Sequence, residues 1–210
     1  MLSENVRIKF AKVGKMKYIS HLDLQRTMKT AFKRAGIPLK YTEGFNPHPK
    51  LVFALTVSVG SESLCEFLDI TLASPMSRED FVNRWNNAMS ADLKLLDVYK
   101  PQTKFAQLLY SSYEITYDRE IDKAVIDTAL DTPMIVKKHS KKGEKIEDIR
   151  SAVISLSCDK NVLKATLAAA QGVYLNPEYL VKALSEKGIT ADDYQVVRTG
   201  TYFADMKDFE

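Results

Sequence analysis

Apolar residues recur at every second position over Val6, Ile8 and Phe10, then at helical spacing over Leu24, Met28, Ala31, Phe32 and Ala35. This change of period constrains the fold more than any other feature of the chain. Gly14 punctuates the first extended stretch, which Met16–Ile19 is expected to resume. Ser20 with Asp23 three residues later has the form of a capping box, and Gly36 with Pro38 ends the predicted helix. Leu39–Phe45, Leu51–Gly60 and Leu64–Leu72 read as extended. Ser77 and Asp80 repeat the capping pattern ahead of Phe81, Trp85, Ala88 and Met89, and Leu93–Tyr99 returns as a strand. Strand, helix, two strands, helix, strand is the order of a split βαβ, ferredoxin-like sandwich.

The second half repeats this scheme. Ser112–Tyr117 reads as a strand and Glu120–Leu130 as a helix. Met134–Lys138, Ala152–Cys158 and Val162–Ala169 are rich in β formers, and the polar run His139–Lys145 suits a hairpin tip or loop. Asn176-Pro177 opens a further helix as cap and first-turn proline, Gly188 closes it, and Tyr194–Phe203 is the last strand. The expectation is an α+β protein of two tandem ferredoxin-like sandwiches, residues 1–101 and 108–210, with the boundary in Lys100–Gln107.

With 210 residues, 45% of them hydrophobic and 27% charged, the chain can bury proper cores, which excludes a disulfide-stapled miniprotein and a disordered tail. No stretch approaches the ~20 apolar residues of a membrane span, and charges interrupt Met1–Phe10, so a cytoplasmic protein is expected. Cys65 and Cys158 have no Cys or His at ligand spacing. Both are expected to be buried thiols, with no metal site.

The net charge of +3 hides an asymmetry. Residues 7–50 hold eleven Lys and Arg against two acids, a charge of +9, while the rest of the chain sums to −6. A basic block inside a folded region is the footprint of polyanion binding. Arg26, Lys29 and Lys33 share one side of the first predicted helix, opposite its apolar stripe. His21 sits in that helix's first turn, where the positive helix end biases an imidazole toward its neutral form.

Tyr41-Thr42-Glu43-Gly44-Phe45-Asn46-Pro47-His48-Pro49-Lys50 places prolines on both sides of a histidine, which stiffens the backbone there. Phe45, Asn46, His48 and Lys50 then suit stacking and phosphate contact with an unpaired stretch of RNA. A third run, Lys137 to Arg150, carries five lysines and ends in Asp148-Ile149-Arg150. Asp148 and Arg150 are expected on one strand face, with Lys138 and Arg150 as further phosphate contacts. The sequence lacks a phosphate-binding glycine loop, a dinucleotide fingerprint and a nucleophile elbow, so no cofactor is expected on this chain.

Tyr18-Ile-Ser-His-Leu-Asp-Leu-Gln-Arg26, Ala35-Gly-Ile-Pro-Leu39 and Tyr41 through Lys50, followed by Phe53-Ala54 and Val59-Gly60, resemble the radical-SAM-linked protein family, a bacterial domain of unknown function. Asp148-Ile-Arg150 and Arg198 also fit. The resemblance implies a partnership, because members occur fused to or encoded beside a radical SAM protein, often near a ribonuclease of the G type and ribosomal protein genes. It directs attention to ribosomal or transfer RNA. The expected function is an RNA-binding adaptor for a radical SAM enzyme. One alternative is a metal-independent RNA endonuclease using His21 or His48, since tandem ferredoxin-like domains with a histidine at the first helix resemble the repeat-RNA-processing nucleases of CRISPR systems. The other is a structural subunit of a radical SAM complex without RNA contact.

Overall fold

A computed structural model describes residues 1–140 and 143–209; Lys141 and Lys142 of the lysine-rich run lie outside the described residues, as do the side chains of His139 and Ser140. The protein is α+β, and its chain divides into two compact units, Met1–Phe105 and Ala106–Phe209. In the first unit the order is β1 (Asn5–Lys12), α1 (His21–Arg34), β2 (Leu51–Phe53), β3 (Glu62–Thr71), α2 (Arg78–Ala88) and β4 (Leu93–Tyr99). The strands lie β4-β1-β3-β2, antiparallel throughout.

The period-two pattern of β1 divides this sheet into two chemically different faces. Val6, Ile8 and Phe10 join Leu68 and Ile70 of β3 beneath Leu24, Met28 and Phe32 of α1 and Phe81 and Trp85 of α2. Trp85 anchors that core, with the rings of Phe10 and Phe32 at 6.0 and 5.8 Å and its indole N–H donating to the Leu93 carbonyl at 3.0 Å. The alternate residues, Arg7, Asp69 and Val52, occupy the opposite face in adjacent register. Both helix starts are capped as the sequence predicts: the Ser20 hydroxyl accepts from Asp23 N–H at 3.2 Å and that of Ser77 from Asp80 N–H at 3.0 Å.

The second unit runs β5 (Tyr110–Tyr117), α3 (Lys123–Ala129), β6 (Ile135–Ser140), β7 (Gly143–Asp148), β8 (Val153–Asp159), β9 (Val162–Ala170), β10 (Val173–Tyr174), α4 (Pro177–Glu186) and β11 (Tyr194–Tyr202). Within it β5 lies between β9 and β11, β8 and β10 also pair with β9, and β6 with β7 forms a separate two-stranded hairpin. Tyr113, Ile115 and Tyr117 of β5 pack with Leu180 and Leu184 of α4.

Four segments depart from the local pattern. Gly14–Tyr18 is a 3-10 turn in place of the expected extended Met16–Ile19. Gly14 adopts φ +56°, a Cβ there would lie 2.8 Å from the Asp92 carboxylate, and Asp92 accepts from Lys15 N–H at 3.0 Å. That long-range clamp overrides local β preference. Only Leu51–Phe53 of Leu51–Gly60 pairs as strand; Leu39 and Tyr41 make single bridges. The second-half helix starts three residues late because Asp122, accepting from Ala124 N–H at 2.9 Å, is its cap. Arg150 opens a 3-10 turn, Arg150–Ala152, so Asp148 and Arg150 do not share a strand face.

Candidate nucleic-acid interface

The cations of residues 7–50 fall into two groups once folded. Arg7 is fully buried: its guanidinium grips both oxygens of Asp69 at 2.8 Å, donates to the Thr103 hydroxyl at 3.0 Å and stacks on Phe105 at 4.3 Å. Lys12 is buried as well. Lys17 pairs with Glu62 at 3.5 Å, Lys40 with Glu4 at 3.3 Å, Arg26 with Asp23 at 3.1 Å, and Arg34 donates to the Ala88 carbonyl. Arg7, Lys12, Lys17 and Arg34 therefore serve the fold, whereas Arg26 and Lys40 sit in exposed pairs that contribute little to stability. Lys29, Lys33 and Lys50 reach solvent with no ion pair among the described residues, Lys29 being half-buried.

The loop before β2 is closed by its own polar groups. Thr42 N–H donates to the His48 carbonyl at 2.9 Å, His48 N–H donates to the Thr42 hydroxyl at 3.2 Å, and Tyr41 bridges Pro49. His48 Nδ1 lies 3.0 Å from the Asn46 carbonyl. A carbonyl only accepts, so in the neutral ring the proton sits on Nδ1 and Nε2 is an acceptor. Gly44 takes φ +119° at the turn, and the next side chain, Phe45, is fully exposed. The Phe45 ring is therefore left bare on a loop that its own backbone closes, and it takes no part in the hydrophobic core. Asn46, His48 and Lys50 are exposed around it. Thr42, which makes the closure, has no chemical signature of its own in the sequence; its six-residue spacing from a histidine between prolines is the available signal.

His21 occupies a different place. Its Nε2 is 2.8 Å from the Gln25 amide nitrogen, which donates to it, and its ring stands edge-on to Phe53 at 5.3 Å. Phe53 ends β2 and Lys50 immediately precedes it, so the two histidines adjoin opposite ends of that strand. The Gln25 amide thus occupies the Nε2 lone pair of His21. Arg26, Lys29 and Lys33 lie on α1, which covers the helix-bearing face of the sheet, while Lys50 follows Val52 in parity and belongs to the opposite face. The fold thus keeps the helix cations and Lys50 on opposite sides of the sheet.

In the second unit Lys138 pairs with Glu147 at 2.9 Å and sits 5.3 Å over the Tyr179 ring. Lys138, with Lys145 beside it, holds the Glu147 carboxyl below the usual carboxylate range. Lys137 pairs with Glu144 at 3.0 Å. Arg150 donates to the carbonyls of Leu130 and Val153, so its guanidinium ties backbone together. Cys65 is buried as expected, whereas Cys158 is only half-buried. Among the described residues no three His, Cys, Asp or Glu side chains group as a metal set, and no helix is long and apolar enough to cross a membrane.

No curated protein matches this chain. Residues 5–177, most of both units, match a family described as an uncharacterized protein conserved in bacteria, DUF2344, and by that match the chain belongs to this bacterial family.

Proposed function

We propose that this protein is a non-catalytic RNA-binding adaptor that presents ribosomal or transfer RNA to a radical SAM enzyme, each of its units being a ferredoxin-like sandwich. The observation that carries the RNA reading is Phe45, bare at the tip of a loop closed by Thr42 and His48 and followed by the exposed Lys50. Base–aromatic stacking contributes about 1–3 kcal/mol per base, and it tolerates sequence because every base has a π face. His48, with Nε2 as acceptor, adds an edge contact, and Lys50 a phosphate contact. The sandwich assignment is supported by strand order: β4-β1-β3-β2 in the first unit and β11-β5-β9-β8 in the second follow one scheme. The radical SAM partnership rests on the sequence resemblance, as does the choice of RNA of the translation apparatus.

The test is fluorescence anisotropy with a single-stranded RNA in the presence of a chelator. Wild type is expected to bind and to leave the RNA intact, and Phe45→Ala to weaken binding by roughly tenfold, about 1.4 kcal/mol of lost stacking. Binding unchanged in Phe45→Ala counts against the reading. Cleavage that disappears in His48→Ala replaces the adaptor with a nuclease.

A further inference from the structure

We infer that the phosphodiester backbone of the bound RNA crosses the sheet face opposite the helices, in a groove between Lys50 and Lys100. The inference rests on the RNA reading above and gives it a path. Strand register places the groove. Leu51 pairs with Ile70, Asn5 with Thr71 and Arg7 with Tyr99, so Lys50, Thr71, Asn5 and Pro101 fall in one row across β2, β3, β1 and the exit of β4. At the ~4.8 Å spacing of paired strands that row spans ~14 Å. A surface groove of about 360 Å³ runs along it, with Val52 and Pro101 as apolar walls.

Charge decides what the groove takes. Its one acid, Asp69, has both carboxylate oxygens bound by the buried Arg7, so its charge is already neutralised. Lys50 and Lys100 are exposed and have no ion pair among the described residues. Their neighbours differ: Lys40 is paired with Glu4 and Arg78 with Asp97. Two unneutralised ammonium groups therefore flank a floor whose acid is matched. On that floor the Thr71 hydroxyl donates to Asn5 Oδ1 at 3.3 Å, leaving the Asn5 amide N–H groups for a phosphate oxygen or a 2′-hydroxyl. Lys50 also ends the loop that carries Phe45, so the base platform and the groove are continuous along the chain. Arg26, Lys29 and Lys33, on the helix side, offer the competing route.

The experiment measures the salt dependence of single-stranded RNA affinity, with Trp85 fluorescence confirming that each variant is folded. Each phosphate contact on a single strand contributes about −0.7 to the slope of log affinity against log salt. Lys50→Ala and Lys100→Ala are each expected to flatten the slope by ~0.7 and the double variant by ~1.4. Lys29→Ala with Lys33→Ala is expected to leave it unchanged, and Phe45→Ala to lower affinity at constant slope. A wild-type slope in the Lys50/Lys100 double variant, while Phe45→Ala still weakens binding, overturns the groove and spares the RNA reading. Flattening by the helix pair alone moves the path to α1 and likewise overturns it. Absence of RNA binding by wild type removes both. Inorganic phosphate, followed through the Thr71 and Lys100 amide shifts, is expected to bind weakly and be displaced by the RNA; phosphate that RNA does not displace overturns the groove as a nucleic-acid path.

Discussion

Whether a charged or polar side chain serves the fold or a ligand depends on what already satisfies it. Arg7 and Lys29 are indistinguishable as entries in a charge count, yet Arg7 is sealed against Asp69 and Phe105 while Lys29 has no ion pair among the described residues. The same test applied to Tyr117 gives a sharp expectation. Its ring packs 6.0 Å from that of Tyr194, its hydroxyl is buried with no hydrogen-bond partner among the described residues, and burial, with the nearby Glu178 charge, pushes its pKa up to about 12. The folded state therefore holds this proton more tightly than the unfolded chain, whose tyrosine titrates near 10. The resulting stability is fully present below pH ~10 and is lost as pH rises through about 12. Tyr117→Phe removes an unpartnered buried hydroxyl, so it is expected to be neutral or stabilising by ~1 kcal/mol at pH 7. It should also reduce the alkaline loss of stability, read from urea midpoints at pH 8 and above. A destabilised Tyr117→Phe protein would show that the hydroxyl has a partner.

Elements are legible in this sequence where their determinants are local. Ser20, Ser77 and Asn176 each cap a helix by accepting a backbone N–H two or three residues on, a contact that spacing alone encodes. The turn Gly14–Tyr18 is not legible, because the carboxylate that fixes it belongs to Asp92, 77 residues from Lys15. The site divides the same way. The stiffness of the double-proline loop is written in its residues, but the separation of Lys50 from the helix cations depends on strand register. Asp148 shows how an element is held by one group. Its carboxylate accepts from Arg150 N–H and from Met134 N–H, both at 2.9 Å, and so joins the end of β7 to the start of β6. Those two backbone donors hold its carboxyl below the usual range. The stabilisation is thus present above the unfolded pKa of about 3.9 and lost as pH falls through the lower folded value. Asp148→Ala is expected to speed amide hydrogen exchange at Met134 and Arg150 together. Faster exchange at Arg150 alone would show a local cap instead of a clamp.

At the scale of the molecule, each unit has its own hydrophobic core under its own pair of helices. The alternation of strands and helices in each is legible from periodicity, since period two gives way to 3.6 at the start of a helix in both. The hairpin of β6 and β7 adds to the scheme of the second unit alone, and its pairing follows from chain proximity. What periodicity does not disclose is the face of the first unit's sheet that carries no helix. There Arg7 stands where an amphipathic reading expects a solvated cation, and it joins β1 to β3 and to Thr103 in the segment after β4. Removing one member of such a pair leaves the other uncompensated, which typically costs about 3–5 kcal/mol when both are buried. Asp69 keeps partial access to water, so Arg7→Ala is expected at the lower end, about 3 kcal/mol. The protein's single tryptophan, Trp85, lies in this unit's core and reports on it directly. In the full chain, the urea transition followed by Trp85 fluorescence should therefore shift to a lower midpoint in Arg7→Ala at unchanged slope. Arg7→Lys should recover only part of the loss, because an ammonium replaces neither the two-point grip on Asp69 nor the flat stack on Phe105. Full recovery with lysine would reduce the contact to its charge, and the polar face would lose its role as the support on which the groove is built.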